Sequence, residues 1–181
     1  AEEKRTRVFK SYKNNRTICN YNVYLNGEFE QKAESAYASF ISIIEDKDYK
    51  NNKTKFIKVR NCLITCLYYY LPPFNPTVYL NMKITNKTSD INKVYNWIDL
   101  EEQKIHINKN GNSNSCILDI ESELLFYMLV VFFEEGLPID GFLLNKFDNS
   151  RLGRGGLLFC LKKYVYPVNL LRNLYSNSTD C

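Results

Sequence analysis

The chain has 181 residues, 45% of them hydrophobic, and its 24 basic and 20 acidic side chains leave a net charge of +4. This length supports one hydrophobic core and favours a single domain over residues 1–181. Basic and acidic residues are interspersed, which argues against nucleic-acid binding. The longest apolar run, Leu124–Phe133, is about half of the roughly 20 residues that a spanning helix needs, so we expect no direct membrane span.

The N-terminal part predicts a short strand or arm followed by an amphipathic helix. Thr17–Leu25 is rich in β-branched and tyrosine residues and ends at Asn26-Gly27, a pair that tolerates the positive φ of a tight turn. From Ala33 to Ile44 apolar residues recur at helical spacing, which predicts a helix with one buried face.

The middle of the chain contains one strongly apolar segment followed by two predicted strands. Phe56–Leu71 is strongly apolar and stops at Pro72-Pro73, where fixed φ angles and missing amide donors end regular structure. Apolar and polar residues alternate over Val78–Ile84, and again over Ile105–Ile107, which predicts two strands of a hairpin or meander.

The C-terminal half predicts a helix over Leu124–Phe133, with a buried strand as the alternative. This helix is apolar nearly all round, so either a partner covers part of it or it is a central core helix. Gly153–Gly156 lacks phosphate-loop spacing and predicts a flexible loop before the apolar stretch Leu157–Tyr166. The predicted class is α+β, a small mixed sheet packed on a long apolar helix.

The cysteines form an even set without paired C-x-x-C motifs, and the chain has one histidine, so an ordinary zinc site is not expected. We interpret the cysteines as disulfide-bonded in an oxidising compartment, and the alternative is that they are buried reduced thiols. The six are Cys19, Cys62, Cys66, Cys116, Cys160 and Cys181.

Cys62 and Cys66 are candidates for an intrachain disulfide only if their segment turns. Their Cα atoms would lie about 13 Å apart in a strand but about 6 Å apart across one helical turn. The alternative is that each bonds elsewhere, because sequence does not choose among the connectivities that six cysteines permit.

Secretion is also suggested by four N-glycosylation acceptor tripeptides. The start of the chain lacks the apolar core of a signal peptide, as expected of a mature chain whose signal has been removed. The acceptor asparagines are Asn15, Asn52, Asn86 and Asn177.

No catalytic constellation is present in the sequence. His106 is the only histidine and is expected to be a polar side chain on the exposed face of a strand. Adjacent acids such as Glu134 and Glu135 point apart and form no acid/base pair. We therefore expect no enzymatic activity, no catalytic residue, no metal and no cofactor.

Three short motifs follow one another along the chain. The first is Cys19 with Leu25–Glu30 and Glu34-Ser35. The second is Leu71–Pro73, before the predicted strand. The third is Leu125–Leu129, which opens a helix that runs on to Leu143-Leu144 and Asp148. In this order they resemble the glycoprotein L family of betaherpesviruses, namely its cysteine and Leu-x-Gly-Glu entry, its Pro-Pro turn and strand, and its C-terminal helical region. The abundance of asparagine, lysine, tyrosine and isoleucine is similar to the roseoloviruses within that family.

This resemblance implies a chemokine-like core over residues 51–181 and an N-terminal arm and helix, 1–50, that contacts a larger viral glycoprotein of the glycoprotein H type. It implies an interchain disulfide through Cys19, further contacts with accessory viral glycoproteins, and an indirect link to a host receptor. The chain would then pass through the secretory pathway to the virion envelope and the host cell surface, on the lumenal side. The partner-binding candidates are Leu25, Phe29, Tyr37, Phe40, Ile41 and Ile44.

The competing hypothesis belongs to another class. The chain would be a free-standing secreted effector from a virus or parasite that binds a host immune protein, and it would be a soluble monomer with every cysteine in an internal disulfide.

Overall fold

The computed structural model describes residues 27–108, 115–167 and 170–171. This part of the chain contains helices and one four-stranded mixed sheet, as the α+β prediction requires.

The fold begins with a helical hairpin. Helix α1, Glu28–Glu45, includes the predicted Ala33–Ile44, and helix α2 is Lys53–Tyr70. Asn52 caps α2 by accepting the Lys55 amide at 3.1 Å, and the prolines after Leu71 stop it. The helices are antiparallel, since the rings of Phe29 and Tyr69 pack edge to face at 5.0 Å.

The predicted strand Val78–Ile84 is wrong in its first half. A short helix α3, Pro76–Leu80, precedes strand β1, Met82–Thr85. Asn75 accepts the Thr77 amide at 3.2 Å, and proline at the first helical position needs no amide partner. These capping interactions override the alternating pattern.

The sheet continues through β2, Asn96–Asp99, β3, Lys104–Ile107, and β4, Cys116–Asp119. The strand order is β1-β2-β3-β4, with β1 and β2 parallel and the other pairs antiparallel. The β3 strand confirms the prediction for Ile105–Ile107. One face of the sheet belongs to the core and buries Met82, Ile84, Ile98, Ile105 and Ile107.

Two helices complete the described chain. Helix α4, Glu123–Glu134, confirms the helix predicted over Leu124–Phe133 and is capped by Ser122, which accepts the Leu125 amide at 3.2 Å. Helix α5 is Arg154–Tyr164.

The glycines before Leu157 do not form the predicted flexible loop. Gly153 is the N-cap of α5, and Gly155 and Gly156 lie in its first turn. A Cβ on Gly156 would meet the side chain of Leu152 at 2.8 Å, so glycine lets the helix start approach this leucine closely.

The core is organised around α2 rather than the predicted helix α4. All ten residues from Val59 to Tyr68 are buried, because α1, α4 and α5 all pack against this helix. Helix α2 is therefore the most completely buried helix of the described chain, while α4 contributes Leu125, Met128, Leu129 and Phe132 to the same core.

Candidate partner-binding surfaces

Helix α4 exposes apolar side chains on its outer side. Its inner side is buried, but Leu124 is 40% exposed and Tyr127 is 52% exposed. Val131, one turn further on and half-buried, continues the same row. We call Leu124, Tyr127 and Val131 the outer stripe. Leu124 and Tyr127 are its exposed residues, whereas Val131 is partly covered by the core.

The outer stripe is chemically suited to a protein partner. A tyrosine and a leucine presented together on one rigid helix are typical anchors of interfaces, and burying each would contribute about 1.5–3 kcal/mol. The charged residues of α4 are confined to its two ends, Glu123 and Glu134. A partner covering the stripe would therefore desolvate few charges.

A second surface is an open groove of about 610 Å³ between the first two helices, which we call the hairpin groove. It is lined mainly by small or uncharged side chains of both helices, together with Glu28, Lys32 and Lys58 and with Tyr164 of α5. The central ones are Ser35, Ala36 and Ser39 of α1 and Ile57, Cys62 and Thr65 of α2.

The predicted partner-binding residues of α1 lie mostly in the chain's own core. Phe29, Phe40 and Ile44 are buried within the described chain. They face inward because α2 and α4 both pack on this side of α1. Tyr37 and Ile41 are half-buried against the same core. Leu25 lies outside the described residues.

The described cysteines are not bonded to one another. No disulfide joins any two of Cys62, Cys66, Cys116 and Cys160, so the disulfide-bonded core expected from the cysteine count is not seen in the described ranges. Cys19, the interchain candidate, lies outside them, as does Cys181.

Cys62 and Cys66 do occupy one turn of a helix, but they are not bonded to each other. The Cys66 thiol instead donates to the Ala33 carbonyl of α1 at 3.5 Å. Burial raises the pKa of Cys62 to about 11, and burial with the neighbouring Cys62 raises the pKa of Cys66 to about 12. Both thiols are therefore protonated and unreactive at neutral pH.

The glycosylation candidates differ in their surroundings. Asn86 is exposed directly after β1, a position open to a glycan. Asn52 is half-buried and its side-chain oxygen caps α2. Asn15 and Asn177 lie outside the described residues.

Sequence reasoning missed a buried carboxylate on the outer face of the sheet. Asp99 has no exposed surface; it accepts hydrogen bonds from the amides of Glu101 and Glu102 at 3.0 and 3.2 Å and from the Thr88 hydroxyl at 2.8 Å. His106 is also on this face, with its Nε2 3.6 Å from Asp99. The local signal for such a cap is an aspartate at the start of a turn, where its side chain can accept the amides of the residues two and three positions later.

This arrangement is better suited to holding the turn than to chemistry. Both oxygens of Asp99 are occupied by protein donors, and the 3.6 Å separation from His106 is too long for a hydrogen bond. His106 is less exposed than the sequence suggests, because it faces this buried acid. No group of three or more histidine, cysteine or acidic residues in the described ranges is placed to hold a metal ion.

None of the helices described here is long and apolar enough to cross a membrane. The chain matches no protein-family model, no curated protein sequence and no solved structure.

Proposed function

We propose that the chain is a non-enzymatic subunit of a viral entry and fusion complex of the glycoprotein H/L type. It binds a larger viral glycoprotein and serves as a scaffold for accessory glycoproteins that reach a host receptor. The observation that carries the proposal is the outer stripe, in which Leu124 and Tyr127 of an apolar helix remain uncovered. The motif order along the sequence supports the choice of complex.

The proposal assigns different roles to two parts of the chain. The outer stripe buries apolar surface against the partner, and Cys19 forms the covalent link to it. The core is of the chemokine-like type, and the protein acts in the secretory pathway and at the virion envelope through its partner. No membrane segment, metal or cofactor of its own is required for this role.

Co-secretion tests the proposal. The chain would be expressed in mammalian cells, fused to a signal peptide, alone and together with a roseolovirus glycoprotein H ectodomain. We expect the pair to be recovered together from the medium, whereas the chain alone is poorly secreted because the outer stripe is exposed. On non-reducing gels the pair should migrate as one species that dithiothreitol separates, and Cys19→Ser should remove the covalent link.

A matched pair of double variants isolates the outer stripe. Leu124→Lys with Tyr127→Lys should reduce recovery of the pair at least tenfold, since each lysine would be desolvated in the interface. Val94→Lys with Phe159→Lys changes two side chains that are more exposed, 72% and 61%, and should leave recovery unchanged. Equal recovery with the two double variants would remove the stripe from the interface.

The same experiment also tests the alternative function. Efficient secretion of the chain alone, as a monomer with no thiol detectable in denaturant, would overturn the subunit proposal and favour the free-standing effector.

A further inference from the structure

The two outer strands of the sheet differ in how their free sides are covered. Beyond β1, the Ile84 amide donates to the Gly141 carbonyl at 2.9 Å, and the Leu143 amide donates to the Met82 carbonyl at 3.0 Å. Beyond β4, no strand of the described chain is paired. We call this side of β4 the open edge. The sheet can therefore add one further strand at the open edge.

The open edge presents backbone donors and acceptors at alternate residues. The Ile120 amide donates at 3.0 Å to the carbonyl of Gln103, which lies just before β3. In an antiparallel pair such bonds recur at every second residue, so the backbone of Leu118 also bonds to β3. The amides and carbonyls of Ile117 and Asp119 point away from β3. They are the groups to which an added strand would bond.

The side chains of β4 are less covered than those of β3 beside it. Ile105 and Ile107 are buried in the core, but their neighbours on β4, Leu118 and Cys116, are only half-buried. On the outer face of the sheet, Ile117 is 59% exposed. One more strand along the open edge would therefore cover apolar surface on both faces of the sheet.

Strand β4 is complementary to a second copy of itself in antiparallel orientation. A two-fold axis at Ile117 places this residue opposite its own copy, so that each Ile117 amide meets the carbonyl of the other. The same register sets Asp119 opposite Ser115, so the two acidic side chains do not oppose each other. On the inner face, Cys116 lies opposite Leu118. The register thus joins outward-facing backbone groups to one another and apolar side chains to apolar side chains.

We propose that two copies of the chain associate through the open edges of their β4 strands and form one continuous sheet. Because the free side of β1 is covered, association stops at two copies. Strands of four residues bury far less than the roughly 1,200 Å² of a stable interface, so the dissociation constant is expected to be on the order of 100 µM. The inference uses a different surface from the outer stripe and does not depend on the proposed function.

Analytical ultracentrifugation of the complete chain tests the proposal, at concentrations from well below to well above this value. The chain would carry Leu124→Lys and Tyr127→Lys, so that the outer stripe cannot cause association. Only material that is monomeric on a non-reducing gel would be used. We expect a reversible equilibrium between monomer and dimer. Ile117→Lys should weaken it at least tenfold, since two lysines then meet at the axis, whereas Val94→Lys, at a residue 72% exposed, should leave it unchanged.

Opposite charges at Ser115 test the register. Ser115→Lys would place a cation opposite Asp119 of the other copy and should tighten association about twofold to tenfold, because symmetry forms the pair twice. Ser115→Asp would place like charges opposite each other and should weaken association by a similar factor. Repulsion between whole copies predicts the reverse order, since the unmodified sequence already carries a net charge of +4.

Three results would overturn the inference. They are a chain that remains monomeric at every concentration, equal association of the Ile117→Lys and Val94→Lys variants, and the reverse order of the two Ser115 variants. Association that continues beyond the dimer would also overturn it, because the covered side of β1 predicts closure. The proposed function is judged separately, by recovery of the complex with glycoprotein H, and none of these results bears on it.

Discussion

The Tyr49 hydroxyl donates a hydrogen bond to a carboxylate oxygen of Glu135, and this contact ties the turn between α1 and α2 to the end of α4. Tyr49 is fully buried, and Lys50 pairs with the same carboxylate at 3.3 Å. We expect Tyr49→Phe to lower the free energy of unfolding by about 1–2 kcal/mol at pH 7, since it removes a hydrogen bond to a charged group. Urea unfolding measures this loss, and Tyr37→Phe is the half-buried control.

The same contact predicts a pH dependence. The hydrogen bond from Tyr49, followed by that from Lys50, holds the pKa of Glu135 below its ordinary value. A depressed carboxyl pKa contributes stability above the unfolded pKa of about 4.3, and this contribution is lost as pH falls through the lower folded pKa. The difference between the wild type and Tyr49→Phe should therefore shrink between pH 7 and pH 3. A difference that grows on acidification would contradict the assignment.

Asp99 is expected to be the most costly polar residue to remove from the sheet. Asp99→Ala would leave the Thr88 hydroxyl and two turn amides without their acceptor in a partly buried site, a loss of about 2–4 kcal/mol. Asp119→Ala, at an exposed position on the same face of the sheet, should cost less than about 0.5 kcal/mol. Thermal unfolding compares the two variants, and equal losses would show that the cap is not structurally important.

How far the sequence predicts this fold depends on the range of the interactions involved. The patterns of α1, β3 and α4 predict the right type of element, since helical spacing, strict alternation and a long apolar run with a cap each match one kind of structure. The Val78–Ile84 pattern fails because the local cap at Asn75 competes with it. That cap is visible in the sequence as Asn75-Pro76. The sequence does not show that the cap stabilises a helix more than the alternating pattern favours a strand.

The surfaces are less predictable than the elements. Nothing in the composition of α4 tells which of its apolar sides is covered, because this depends on where α1 and α2 pack. Likewise, Ser35 and Ser39 look like ordinary exposed positions of an amphipathic helix. They become the wall of a groove only because α2 lies alongside with Ile57 and Thr65 facing them.

The buried thiols of α2 are expected to be protected from alkylation. Burial raises the pKa of both Cys62 and Cys66, so the reactive thiolate is scarce at pH 8. Iodoacetamide should modify them roughly tenfold or more slowly in the native chain than in urea, as followed by peptide mass spectrometry. Absence of thiol at these positions in urea would instead show a disulfide under oxidising conditions.

The raised thiol pKa values also give a sign for alkaline stability. An acid whose folded pKa lies above its unfolded value contributes stability that is present below the unfolded pKa, about 8.5 for cysteine, and is lost as pH rises through the folded value. The unfolding free energy should therefore fall between about pH 8.5 and pH 11. Cys66→Ala should make this decline shallower.

Asn86 is the described acceptor most open to a glycan. It is exposed in the turn after β1, so we expect it to be modified when the chain is expressed through the secretory pathway. Asn86→Gln should remove one glycan from the mass of the secreted chain, whereas Asn92→Gln, which alters no acceptor tripeptide, should not. An unchanged glycan mass in Asn86→Gln would contradict this.

Arg151 connects the segment before α5 to the junction of α3 and β1. Its guanidinium carbon lies 3.8 Å from the centre of the Phe142 ring, and Nη2 donates to the Leu80 carbonyl and, at 2.9 Å, to Asn81 Oδ1. Lysine keeps the charge but lacks the planar fork that stacks and donates at once. Arg151→Lys should therefore lower the unfolding free energy by about 1 kcal/mol.

Arg154 provides the matched control for this substitution. It is also an exposed arginine, but its one hydrogen bond, to the Thr77 hydroxyl, is long at 3.4 Å. Arg154→Lys should change stability by less than about 0.5 kcal/mol in the same urea titration. If the two variants lose the same stability, the stacking of Arg151 on Phe142 contributes nothing. The segment would then be held by its backbone hydrogen bonds, such as the one that the Leu152 amide donates to the Leu144 carbonyl at 3.1 Å.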